Sequence, residues 1–282
     1  MKSYWSCPHD DELKGKALSF SAASYNVLAT AYLPYGRYRR TPAMVLDPAW
    51  RIPALVHQIT DLETDVICLQ EVELDTFAAL KNRLSSLGYV AQYARKQAGQ
   101  PDGCATFYRE DNFELVATRL VAYADGVQGQ AAASGHIALI VLLRVADRVV
   151  GIINTHLSWD PPGTVNSAKL SHRQAQQLLE AYRLMAPSCQ GWLICGDLNA
   201  TPDSDTITIL TASGFQYAHF GLAHAYTCKV DSEAKIIDYL FHSPELRAEP
   251  KATTVISDQT VLPSAAQPSD HLPVVARFFW NA

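Results

Sequence analysis

Apolar runs of strand or helix length follow one another through most of this 282-residue chain, and seven of them meet a short polar word. The words are Ser24-Tyr25-Asn26, Leu69-Gln70-Glu71-Val72, Asp102-Gly103-Cys104-Ala105, Asn154-Thr155-His156-Leu157, Gly196-Asp197-Leu198-Asn199, Ile237-Asp238-Tyr239-Leu240 and Ser269-Asp270-His271. Buried runs that keep ending on amides, carboxylates and imidazoles constrain the fold: separated strand ends must converge in one loop-built crevice on a rigid scaffold.

The runs between the words read as a mixture of strands and helices. Leu18 to Tyr25 alternates small and apolar residues as a strand does, and Asp65 to Gln70 holds the buried run Val-Ile-Cys-Leu. Trp50 to Leu62 has helical spacing through Ile52, Leu55, Val56 and Ile59; Leu74 to Leu87 repeats the pattern, with Gly88 as its stop. Strand-like runs follow at Tyr89–Tyr93, Cys104–Tyr108, Leu115–Ala122, His136–Arg144 and Arg148–Thr155, and Asn166 to Met185 is the clearest long helix. Trp192–Cys195, Ile236–His242, Ala252–Ile256 and Pro273–Phe279 supply later strands. This order predicts an α/β (α+β) layered sandwich. No linker or repeat divides the chain, so residues 17–282 read as a single domain after a polar N-terminal segment, 1–16, that carries Asp10, Asp11 and Glu12.

Composition narrows the partners. Apolar residues make up 48% of the chain, enough for one sizeable core, and the formal net charge of −5 comes with no basic stripe of the kind that grips duplex phosphates. A small or single-stranded substrate fits better than long duplex. Six cysteines occur without a C-x-x-C pair, and Cys68, Cys104 and Cys195 lie inside apolar runs, which predicts reduced thiols, a cytoplasmic protein and no zinc finger. No apolar leader or membrane-length run is present, no obligate protein partner is evident, and neither a Gly-x-Ser-x-Gly elbow nor a Gly-rich phosphate loop occurs.

Taken singly, each polar word has a plain structural reading: Asn26 a turn cap, Asp197 and Asn199 an Asx-turn, Asp238 a strand-edge carboxylate, His156 a strand-end histidine. Taken together they form a set of amides, carboxylates and imidazoles suited to metal-assisted attack of water on phosphorus. Their order and flanking residues resemble the endonuclease/exonuclease/phosphatase superfamily from about Ser19 to Phe279. The resemblance implies a four-layer sandwich of two mixed β-sheets flanked by helices. It implies Glu71 as principal Mg²⁺ ligand assisted by Asn26 and Asp270, with Mn²⁺ as a substitute. Asp197 and Asn199 would place the attacking water, His156 and His271 would stabilise phosphate charge, and Asp238 would orient His271.

Four local features are similar to the deadenylase, nocturnin and angel group: Ser-Tyr-Asn-Val-Leu-Ala with Tyr32 soon after, Asp-Gly-Cys-Ala-Thr-Phe, Trp159-Asp160-Pro161, and Lys169-Leu170 ahead of Arg173 and Gln174. That similarity implies Pro161 against a substrate base. Lys169, His172, Arg173 and Gln176 share a helix face by spacing. Tyr35-Gly36-Arg37-Tyr38-Arg39-Arg40 interleaves aromatics with arginines, which suits stacking on bases and pairing with phosphate. Lys169, Arg173, Arg37 and Arg39 are therefore the candidate substrate cations. The expectation is a metal-dependent 3′-to-5′ exoribonuclease or phosphodiesterase for adenine-containing single-stranded RNA, with a nucleotide phosphomonoesterase acting on NADP(H) as the alternative. A catalytically silent binding module is the remote third reading.

Overall fold

The computed structural model describes residues 19–33, 38–126, 134–165, 168–222, 226–230 and 233–281. The N-terminal segment 1–16, Arg37 and the first two residues of the expected long helix lie outside the described residues.

Two six-stranded mixed sheets pack face to face. The first runs β13(Leu246–Pro250)-β14(Val274–Trp280)-β1(Ser19–Asn26)-β2(Val66–Glu73)-β4(Asp102–Arg109)-β3(Tyr89–Arg95). The second runs β5(Glu114–Ala122)-β6(Ile137–Val145)-β7(Arg148–His156)-β8(Gly191–Asp197)-β12(Asp238–His242)-β9(Gln216–Tyr217). A small hairpin, β10(Cys228–Val230) with β11(Glu233–Lys235), stands apart from both. Helices α1(Ala43–Leu46), α2(Pro48–Thr60) and α3(Leu74–Ser85) belong to the first half of the chain, and α4(Leu170–Met185) and α5(Asp205–Ala212) to the second.

Three apolar clusters account for the layers. Phe20, Ala22, Val66 and Phe278 meet Val141, Ile152, Leu193 and Leu240 between the sheets. Leu55, Ile59, Leu80 and Leu84 of α2 and α3 cover Tyr25, Ile67, Leu69 and Phe107 on the outer face of the first sheet. Ala175, Leu178 and Leu179 of α4, with Ile207 and Leu210 of α5, cover Ile140, Ile153, Ile194 and Phe241 on the second. This is the expected four-layer sandwich.

Side-chain alternation explains how the sandwich presents its polar words. Along β1 the inward residues are Phe20, Ala22, Ser24 and Asn26; along β7 they are Val150, Ile152, Asn154 and His156; along β8 they are Leu193, Cys195 and Asp197. Each inward row thus changes from apolar to polar at its C-terminal end. β1 pairs in parallel with β2, and β7 in parallel with β8, so those ends lie together. β12 and β4 run antiparallel to their neighbours and contribute their first residues, Asp238 and Asp102, at the same end. Just below it Gln70 Nε2 donates to Asn154 Oδ1 at 2.9 Å, while Asn154 Nδ2 donates to Ala105 O at 2.9 Å, a buried polar tie between the sheets.

Most expected elements are present, with two differences. Ala252–Ile256 is not a strand: four of these five residues are exposed or half-exposed, only Ile256 is buried, and the edge strand ends earlier, at Pro250. A β-prone stretch beyond an edge strand has no neighbour to complete a ladder. The helix α4 begins at Leu170 because Asp160 Oδ1 accepts from Leu170 N at 2.8 Å and Asp160 Oδ2 accepts from Ser171 N at 3.1 Å, capping its first turn.

His219 is 1% exposed, and burial pushes its imidazole down to about 4. A ring with a folded pKa below its unfolded value stabilises the fold fully above about 6.5, and that contribution is lost as pH falls toward 4. His219→Phe, nearly the same shape, lacks this liability. Urea unfolding at neutral pH and near pH 4 should show the variant gaining on wild type by up to about 3 kcal/mol at the acid end. An unchanged difference would contradict the assignment.

Candidate functional site

At the polar end of the inter-sheet space, Glu71, His156, Asp197, Asp270 and His271 line the floor of a crevice of about 1520 Å³, with Asn26 and Asp238 buried directly behind them. Asn26 is fully buried. Its Nδ2 donates to Glu71 Oε1 at 2.9 Å and to Asp197 Oδ2 at 3.0 Å, and its Oδ1 accepts from Leu28 N at 2.9 Å.

Glu71 reaches this amide through a backbone irregularity. Simple alternation would send it after Ile67 and Leu69 toward the helices. Instead the β2–β4 register shifts between Leu69 and Val72, and Glu71 adopts φ 58°. A β-bulge of this kind re-aims one side chain, and a left-handed glutamate is a strained conformation found preferentially at functional sites. The carboxylate is held there by Ala29 N, which donates to Oε2 at 2.8 Å. Burial raises its pKa, opposed by the nearby Lys96.

Asp197 lies where β8 ends and is 2% exposed. Its Oδ1 accepts from Asn199 N at 2.9 Å, and its Oδ2 faces His156 Nε2 at 3.6 Å and His271 Nε2 at 3.8 Å. Burial and the Asp238 carboxylate push it up to about 7, against the pull of His271. Gly196, before it, has no tolerable substitute: a Cβ there would overlap Thr155 O of the parallel neighbour β7. Asn199 takes a left-handed φ of 49°, and its Nδ2 donates to Leu157 O at 2.9 Å and lies 3.0 Å from His156 Nε2.

The two imidazoles differ in charge. Burial, Lys96 and the neighbouring histidines hold His156 well below 6.5, so it is neutral. For His271 burial also opposes charge, yet Asp238 overrides it: the ring's Nδ1 donates to Asp238 Oδ2 at 2.8 Å, and its pKa stands well above 6.5. Asp270 accepts from the Tyr38 hydroxyl through Oδ2 at 2.7 Å, while its buried Oδ1 has no hydrogen-bond partner among the described residues.

The donor set fits a hard divalent cation. Glu71 and Asp270 supply carboxylate oxygens, Asp270 Oδ1 having no hydrogen-bond partner among the described residues, and Asn26 turns its Nδ2 to Glu71, steadying that carboxylate. Mg²⁺ prefers oxygen ligands and keeps several waters, so one or two carboxylates suffice.

The substrate candidates divide. Pro161 and Lys169 line the crevice wall, exposed and half-exposed respectively, on the segment that Asp160 ties to α4. Arg173 is half-buried on α4 and Arg39 is exposed, and neither is among the lining residues. Lys96 and His136 were not legible as site members, while Tyr32 and Tyr38, which the sequence offered as a motif residue and a base-stacking aromatic, hydrogen-bond to carboxylates instead. Lys96 is 5% exposed, pairs with Asp102 Oδ2 at 2.8 Å and donates to His156 Nδ1 at 3.2 Å. Tyr32 donates to Asp102 Oδ1 at 2.7 Å. Tyr38 donates to Asp270. His136 lines the crevice with its ring edge-on to that of His156, centroids 5.6 Å apart, and its pKa falls to about 4 through burial and Lys96.

A matching family model, described as the endonuclease/exonuclease/phosphatase family, covers residues 23–271, and the chain belongs to that family. Among curated relatives it is 34% identical to zebrafish (Danio rerio) Protein angel homolog 2 over 193 residues, 65% of this chain and 33% of that protein. It is 26% identical over 324 residues to the CCR4-Not complex 3′-5′-exoribonuclease subunit Ccr4 of Candida albicans, spanning 92% of this chain and 41% of the relative. The chain therefore spans about a third to two fifths of the length of these relatives. Among solved structures, ANGEL2, described as a 2′,3′-cyclic phosphatase in complex with adenosine-2′,3′-vanadate, superposes with a TM-score of 0.75 at 23% identity over 94% of this chain and 96% of that one. The human Nocturnin catalytic domain with bound sulfate superposes at 0.71 and 22% identity, over 94% of each chain. These likenesses establish the fold.

The Asp238–His271 pair yields a test on the metal-free protein. Asp238→Asn removes the charge that keeps His271 protonated, so the ring's pKa should fall by at least about one unit. Titration of the imidazole C–H resonances by NMR reads this directly; an unmoved pKa would show that another group sustains the charge.

Proposed function

We propose that this protein is a Mg²⁺-dependent phosphohydrolase that removes nucleotides in the 3′-to-5′ direction from adenine-containing single-stranded RNA. The observation that carries the reading is the convergence of Glu71, Asp197, Asp270 and His271 on one crevice floor, with Asn26 and Asp238 buried directly behind them.

A bound divalent cation supplies charge neutralisation at the scissile phosphate, with Mn²⁺ able to take the place of Mg²⁺. Glu71, assisted by Asp270 and Asn26, would hold it. Asp197, with a pKa raised to about 7, orients a water and takes its proton through a carboxylate oxygen, and Asn199 fixes the other side of that water or a phosphoryl oxygen. His271, charged through Asp238, donates from Nε2 to the phosphoryl oxygen where negative charge grows. His156 contacts the same phosphate as a neutral ring, and the Lys96 ammonium beside it adds positive charge. Pro161 packs against the base, and Lys169 faces the phosphates that follow.

The volume of the crevice, about 1520 Å³, exceeds the roughly 300–1,000 Å³ of ordinary small-ligand pockets. That supports a substrate larger than a mononucleotide; RNA and the dinucleotide NADP(H) both meet this condition, and the substrate panel below separates them. The named activities of the relatives, exoribonuclease and 2′,3′-cyclic phosphatase, are both hydrolyses of ribose phosphate esters. Cys68, Cys104, Cys189, Cys195 and Cys228 are free thiols, which supports assignment to the reducing cytoplasm. Among the described residues no helix is long and apolar enough to cross a membrane. We read residues 17–282 as one catalytic domain.

Incubating the purified protein with Mg²⁺ and, separately, end-labelled oligo(A), mixed-sequence RNA, RNA ending in a 2′,3′-cyclic phosphate, and NADP⁺ decides among substrates. A ladder of shortened oligo(A) is expected; phosphate release from NADP⁺ with intact RNA would replace the exonuclease reading by the monoesterase one. Glu71→Ala should abolish Mg²⁺-dependent turnover, and unchanged turnover would remove Glu71 from the metal. Asp197→Asn should leave the melting transition in place while lowering kcat by about 10²-fold or more. Substituting Pro161 should alter preference among bases more than the rate on a generic phosphodiester, and an unmoved preference would rule out the stacking role.

A further inference from the structure

We propose that Cys228, Asp270 and His271 form a second cation site in the crevice wall, selective for a thiophilic divalent ion such as Zn²⁺. One ligand atom from each of the three lies within 4.8 Å of the others, all three residues line the crevice, and all three are buried.

The arrangement is set by backbone. Cys228 and His271 face one another across an isolated antiparallel bridge, with Leu272 N donating to Thr227 O at 2.7 Å and Lys229 N donating to Asp270 O at 2.9 Å. Those bonds hold the thiol opposite the imidazole, and the two side chains also share a hydrogen bond. Asp270 Oδ1, buried and without a hydrogen-bond partner among the described residues, lies 3.9 Å from His271 Nε2. It is a buried acceptor still open to a ligand. His271 Nδ1 donates to Asp238, the carboxylate–histidine arrangement that fixes ring orientation and leaves Nε2 to coordinate. A sulfur, a nitrogen and a carboxylate oxygen make a zinc-like set, with water at the fourth position. Glu71 and Asp270 make an oxygen set. Ligand softness separates the two: Mg²⁺ has no use for Cys228, and Zn²⁺ gains from it. On binding, the thiol proton and any proton on Nε2 pass to solvent.

Occupancy would engage both Asp270 and His271. Zn²⁺ is then an inhibitor of Mg²⁺-dependent turnover, a consequence that rests on the function proposed above, whereas the binding does not.

Titration of the reduced, metal-free full chain with Co²⁺ tests the site by itself. Wild type should develop the near-ultraviolet thiolate-to-cobalt charge-transfer absorption, and Zn²⁺ should abolish it. Cys228→Ser and Cys228→Ala should both lack the band while retaining the melting transition of the wild type. Absence of the band from wild type at saturating Co²⁺, or its persistence in a folded Cys228 variant, overturns the site. In the activity arm each protein is compared with its own zinc-free rate. The Zn²⁺ concentration for half-inhibition should rise about tenfold or more in Cys228→Ser. Equal inhibition of both proteins overturns the inhibitory role. A cobalt band with no hydrolysis of any substrate would leave the site standing and sink the proposed function.

Discussion

One side-chain amide holds the two halves of this molecule's reaction centre together. Asn26 Nδ2 divides its two protons between Glu71, carried by the first sheet, and Asp197, carried by the second. Two buried carboxylates facing one another repel, and the amide is what permits both to remain at this separation before any cation arrives. Everything that fixes Asn26 therefore fixes the centre: Leu28 N on its oxygen, Ser269 Oγ donating to its backbone carbonyl at 2.8 Å, and the Arg51 guanidinium donating to the carbonyls of Val27 and Leu28 at 2.9 and 2.6 Å. Arg51 is fully buried, so the loop after β1 is anchored by a cation spent on backbone oxygens.

The site works against stability in a consistent direction. Glu71 and Asn199 occupy left-handed backbone, Asp197 is held far above its ordinary carboxylate range, and Asp270 keeps an oxygen with no hydrogen-bond partner among the described residues. Each costs free energy that the three apolar clusters offset. Such concentration of strain and poor solvation in one place is what a centre arranged for a ligand's charge looks like before the ligand binds.

Strand-end logic made much of this readable from sequence. Asn26, His156, Asp197 and Asp238 sit at strand ends where rows that are apolar deeper in the sandwich turn polar, so period-two alternation points them toward the crevice. Glu71 needed the resemblance: alternation sends it to the wrong face, and only the bulge, which has no sequence mark here, turns it back. Lys96 was illegible because it follows an unremarkable strand; its role depends on Asp102, whose carboxylate attracts it across the β3–β4 pair. His136 gave no sign because Ser158, the partner that ties it to the crevice, is distant in sequence. The helix-face argument for Lys169 and Arg173 succeeded only in part. Lys169 precedes the helix and reaches the wall, while Arg173, a turn later, has already rotated away.

The Gln70–Asn154 tie lies just beneath these carboxylates and joins the same two sheets. Its position makes the spacing of the sheets a gauge for the centre above. A void opened in the inter-sheet core, or a larger side chain forced into it, would slide one sheet across the other and alter the Glu71–Asp197 separation. Residues far from any substrate thus tune this crevice mechanically, through the thickness of the sandwich.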